Sequence, residues 1–123
     1  METRLPFLFS EGVMKGRIDL PRFAALTATN HAKLYGLYPQ KGTIAVGSDA
    51  DLTLWDPKER RVITNDALHH GADYTPYEGM VIDGWPVTVI LRGQIAVMDG
   101  VLTVKPEAGQ YLPRKRSPGS CTV

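Results

Sequence analysis

The chain has 123 residues, of which 43% are apolar and 22% charged, ordinary values for one soluble domain or a share of a larger one. Fourteen Lys and Arg against thirteen Asp and Glu leave a net charge of +1, so no large field points to nucleic acid or to an anionic membrane. No apolar run approaches the roughly 20 residues of a membrane-spanning helix. The opening Met1-Glu2-Thr3-Arg4-Leu5-Pro6 lacks the basic-then-apolar layout of a secretion signal. A lone Cys121 can form neither an intramolecular disulfide nor a cysteine zinc site, and a reduced, cytoplasmic setting is expected.

Residues 1–38 read as helical. Leu5, Leu8, Phe9 and Val13 fall close to helical spacing, with Gly12 and Gly16 punctuating the end. Asp19 is a good N-cap for a second helix, Pro21 is tolerated in its first turn, and Leu20, Phe23, Ala24 and Thr27 share one face. Asn30 is expected to cap a further short helix, His31 to Tyr35, which Gly36 closes.

From Lys41 the pattern changes to strands. Gly42 and Gly47 bracket the β-prone run Thr43-Ile44-Ala45-Val46, and Gly47-Ser48-Asp49-Ala50 carries turn chemistry. Asp51-Leu52-Thr53-Leu54-Trp55 alternates as a strand, and Asp56-Pro57 is expected to stop it because proline offers no ladder donor. Arg60 to Thr64 is another candidate strand, and residues 65–84 read as a long ordered loop. Val87-Thr88-Val89-Ile90-Leu91 is the strongest strand. Arg92-Gly93-Gln94 turns it into Ile95-Ala96-Val97-Met98, and Asp99-Gly100 turns again into Val101 to Val104, a β-meander with glycine at each corner. From Lys105 onward the composition predicts an extended or disordered tail, residues 105–123.

Helices followed by short strands, with no repeat and no internal linker, predict an α+β chain or pieces of two domains joined together. The second is favoured, because the helical part has no parallel strands to pack upon and the strand part falls short of a full sandwich.

The segment Gly42-Thr43-Ile44-Ala45-Val46-Gly47-Ser48-Asp49-Ala50-Asp51-Leu52 resembles a signature of the amidohydrolase superfamily. Three further stretches, Glu2-Thr3-Arg4-Leu5-Pro6, Leu34-Tyr35-Gly36-Leu37-Tyr38-Pro39-Gln40-Lys41-Gly42 and Asp73-Tyr74-Thr75-Pro76-Tyr77-Glu78-Gly79, together resemble its hydantoinase and dihydropyrimidinase branch. The likeness weakens only after about Pro106. Where that family usually has Asn-Pro-Ala-Lys, this chain has Asn30-His31-Ala32-Lys33. His31 gives up the rigidity of a proline at the first helical position while leaving the expected cap intact.

The resemblance implies the following architecture and chemistry. Residues 1–39 would be the closing helices of a (β/α)8 barrel, and residues 40–104 the C-terminal strands of the small flanking β-sandwich. The family's hydrolysis of cyclic amides uses a zinc pair held by a His-x-His pair, a carbamylated lysine and two more histidines, with an aspartate acting on the water. No His-x-His occurs here, the histidines being only His31, His69 and His70. By resemblance the chain begins just after those residues end. The expected assignment is therefore no catalytic, cofactor-binding or metal residue in this chain, with the zinc pair belonging to the full-length enzyme.

Several residues still invite a sharper reading. Adjacent His69-His70 point in different directions and lack a third ligand nearby, so a loop role is favoured over zinc. Lys33 lies in a predicted helix without a histidine partner, which favours a salt bridge or a solvated face over carbamylation. Asp49 and Asp51 lack the remaining ligands of a calcium loop, and their short side chains suit turn formation by accepting backbone N–H bonds. Tyr74, Tyr77, Trp55 and Trp85 are read as packing or interface anchors before a ring-stacking pocket. Arg114-Lys115-Arg116 is read as a solvated basic tail.

Two functions are weighed. One is a share of a hydantoinase- or dihydropyrimidinase-like hydrolase, structural in role and inactive alone, whose partner is the missing barrel portion. The other is a non-catalytic oligomerisation or interaction module, because half a sandwich leaves an inner face and an edge uncovered and favours a homo-oligomer. No nucleic-acid or membrane partner is expected.

Overall fold

The computed structural model describes residues 2–105 and 109–114. Two helical stretches precede a four-stranded sheet, an α+β arrangement. Cys121 and most of the basic run, Lys115 and Arg116, lie outside the described residues. So does much of the expected tail, although 109–114 carry no regular structure.

The first helical stretch is α1 (Arg4–Leu8), continuing directly into a π-helical turn at Phe9–Met14. Pro6 falls in the first turn, where its missing N–H costs least. The second stretch is α2 (Leu20–Ala24), a π turn at Ala25–Thr29, and α3 (Asn30–Leu34). Asp19 caps it as the sequence predicts, its Oδ1 accepting the Arg22 N–H at 2.8 Å. The expected break at Asn30 does not occur. Asn30 has helical φ/ψ of −66° and −39°. Thr29 before it is helical too, so no side-chain cap forms and the helix runs through. Cap propensity acts only where the chain is otherwise leaving the helix, and here a wider turn carries it on. Gly36 does close the helix, at φ +70°, with the Leu37 N–H returning to the Ala32 carbonyl at 2.8 Å.

The predicted strand at Thr43–Val46 is absent. The segment folds instead as a loop, the Asp49 N–H bonding the Gln40 carbonyl at 2.9 Å and the Ser48 N–H the Ala45 carbonyl at 3.1 Å. β-branched composition becomes a strand only beside a ladder partner, and among the described residues this segment is paired in no sheet.

The sheet runs in the order β1 (Leu52–Val62), β2 (Val81–Leu91), β3 (Gln94–Met98), β4 (Val101–Leu102). Pro57 does not stop β1. The strand is at the sheet edge, where a missing donor is tolerated, and Asp56 Oδ1 accepts the Lys58 N–H at 2.8 Å just beyond it. β2 likewise begins earlier than expected, at Val81 rather than Val87, and passes through Pro86. The pairing with β3 runs over Thr88–Leu91, after the proline. The loop predicted over 65–84 is therefore shorter and opens with a 3-10 turn at Asn65–Ala67. Both hairpin turns are as the sequence predicts. Arg92 and Gly93 stand at φ +47° and +80°, Asp99 and Gly100 at +50° and +80°, the signs of a type I′ turn. A bulge between Val89 and Ile90 lets Ala96 fall unpaired in the β2–β3 register.

Contacts gather into two compact units, and each has its own interior. In the unit of residues up to Phe23 and Leu54–Val87, Phe9 stacks on Trp55 at 4.5 Å and 15°, while Phe23 meets both rings edge-on. Ile63, Ile82 and Pro6 are buried, and the buried Ser10 hydroxyl accepts the Asp83 N–H at 3.1 Å. In the unit of Ala24–Thr53 and residues from Thr88 on, Ala32 and Ala96 are buried. Gly42 packs so closely there that a Cβ would lie 2.5 Å from that of Ala32.

Candidate functional site

The chemistry-bearing residues converge most closely on the loop between β1 and β2. Its base is tied by Ile63, whose N–H bonds the Met80 carbonyl at 2.9 Å and whose carbonyl accepts the Gly79 N–H at 2.8 Å. Glu78 Oε2 accepts the Asn65 N–H at 2.7 Å across the loop. From the start of the chain, the Glu2 carboxylate accepts the His69 backbone N–H at 3.0 Å and lies 3.1 Å from its ring Nδ1. Phe7 leans on Tyr77 at 5.6 Å between ring centres.

Two clefts result. One of about 250 Å³ is lined by Glu2, Leu68, His70, Tyr74, Pro76 and Tyr77, among others. A second of about 290 Å³ is lined by Asn65, Asp66, Asp73, Tyr74, Thr75 and Glu78. Tyr74 borders both and is 70% exposed. His70 Nδ1 already accepts the Ala72 N–H at 3.1 Å, so this nitrogen is committed to holding the loop.

His69 and His70 are thus turned to different partners, as expected of adjacent residues. Among the described residues no three or more His, Cys, Asp or Glu side chains are grouped so as to hold a metal ion. This donor set, among the described residues, does not fit a zinc pair.

The other singled-out residues go elsewhere. The four aromatics do not form one stacking pocket: Trp55 is in the Phe9–Phe23 packing, Trp85 lies under the Arg61 guanidinium at 4.9 Å, and Tyr77 packs on Phe7. Exposed Lys33 places its ammonium 5.2 Å from the Tyr38 ring centre. Asp49 and Asp51 do not hold their own turn as expected: Asp51 Oδ1 accepts the N–H of Arg92, 41 positions away, at 2.8 Å, and the Asp49 carboxylate pairs with the Lys41 and Gln40 side chains.

Sequence reasoning did not single out Lys41 or Glu2. Lys41 reaches both Asp49, at 2.8 Å, and Asp51. Burial pulls its pKa down, but the hydrogen bonds to Asp49 and Asp51 outweigh this and the net shift is upward. The Lys41 hydrogen bond holds the Asp49 carboxyl below its ordinary range. Asp49 and Asp51 stand eight and ten positions after Lys41, so the turn at Gly47-Ser48-Asp49-Ala50 is the only sequence signal for the pairing. Glu2 gave no signal, because its partner lies 67 positions away.

Against known proteins, the Amidohydrolase family pattern matches residues 3–96. The chain is 50% identical over 116 residues to the D-hydantoinase of Geobacillus stearothermophilus, covering 94% of this chain and 25% of that protein. It is 42% identical over 115 residues to the dihydropyrimidinase of Rattus norvegicus, covering 94% and 22%. The solved D-hydantoinase (dihydropyrimidinase) from Thermus sp. superposes with a TM-score of 0.90 at 45% identity, over 94% of this chain and 25% of that one. The chain spans about a quarter of the length of these relatives. It belongs to the amidohydrolase family, and within it the similarity is to the D-hydantoinases and dihydropyrimidinases.

Proposed function

We propose that the chain is the C-terminal, non-catalytic share of a D-hydantoinase- or dihydropyrimidinase-like hydrolase acting on C–N bonds of cyclic amides, and that it is inactive alone. The observation that carries this reading is 50% identity along 94% of the chain against only 25% of the D-hydantoinase it matches. In this reading residues 1–39 are closing helices of a barrel, residues 40–104 are strands of a flanking sandwich, and the zinc pair is held by residues outside the chain. The exposure of Ile44 and Val46 supports the second. They sit in a β-prone segment, and a strand from the rest of the enzyme would give that segment its ladder.

A second reading, a non-catalytic oligomerisation module, is favoured by the same exposed apolar side chains together with Val101 and Leu102 on β4. Co-expression separates the two. The chain is produced together with the part of the Geobacillus D-hydantoinase lying outside the matched 25%. Co-purification with recovered ring opening of hydantoin or dihydrouracil is expected. Failure to co-purify, with the chain forming a stable assembly of its own, would favour the module and overturn the enzyme reading.

A further inference from the structure

We draw no further inference here: the strongest candidate, the cleft lined by Asn65, Asp66, Asp73, Tyr74, Thr75 and Glu78, is an acidic cluster whose orphaned polar atom, Asn65 Oδ1, belongs to a side chain only partly buried, so nothing in the structure points to what would fill it.

Discussion

Gly84 stands at φ +84°, and a Cβ placed on it would lie 2.5 Å from the Phe9 ring, the ring that stacks on Trp55. An alanine there would meet both penalties, about 1–2 kcal/mol for the left-handed backbone and about 1–3 kcal/mol for overpacking. Gly84→Ala is therefore expected to lower stability by about 2–5 kcal/mol, read as a shift in the urea midpoint. Gly47→Ala is the control: φ is +89° but nothing lies within 4 Å, so the backbone penalty acts alone. Equal shifts for the two would show that Phe9 yields and that the packing is not tight.

The ion pairs give a pH dependence of definite sign. Asp49 is held below its ordinary value of 3.8 by Lys41, and Glu11 below 4.5 by Lys15. A carboxylate with a lowered folded pKa contributes stability that is complete above the ordinary value and fades as pH falls through the folded one. Lys41, raised above 10.5, contributes stability that is complete below that value and fades as pH rises through its folded pKa. The melting temperature is thus expected to fall from about pH 4.5 downward and again above about pH 10.5. Asp49→Asn should flatten part of both limbs. An unchanged acid limb in Asp49→Asn would show that its contact with Lys41 is not maintained in solution.

At the scale of elements, the second helical stretch depends on its start. Asp19→Ala removes the acceptor for the Arg22 N–H and should cost about 0.5–2 kcal/mol, with a matching loss of helix signal in circular dichroism. No change in either would mean that the cap is not formed. Asp19 illustrates what the sequence makes legible, namely features decided by a few neighbouring residues. The Arg92-Gly93 and Asp99-Gly100 turns and the Gly36 helix end are of the same kind. Features decided by distant partners are not legible in the local sequence. Pro57 looks like a strand stop until β1 is known to be an edge. Residues 81–84 look like loop until β2 is seen to begin at Val81. Thr43–Val46 has strand composition without a described neighbour. Asn30 has cap chemistry inside a helix that continues through a π turn. Of the residues lining the clefts, His70, Tyr74 and Tyr77 stand out in the sequence, but Glu2 joins them only through folding.

For the whole molecule, exposed Ile44, Val46, Val101 and Leu102 leave apolar surface in water. Each Å² covered would contribute about 25 cal/mol, and β4 offers a two-residue strand for pairing. The purified chain is expected to self-associate in light scattering, and Ile44→Ser with Val46→Ser to reduce that association. A monodisperse monomer with a cooperative melt would show instead that the chain completes its own fold. No helix among the described residues is long and apolar enough to cross a membrane.

In the proposed reading, hydrolysis needs protein beyond these 123 residues. The direct test is the rate of hydantoin ring opening by the purified chain, supplied with zinc and bicarbonate. The account predicts a rate equal to that of the protein-free blank. A rate above blank that scales with chain concentration and is abolished by a chelator would contradict it.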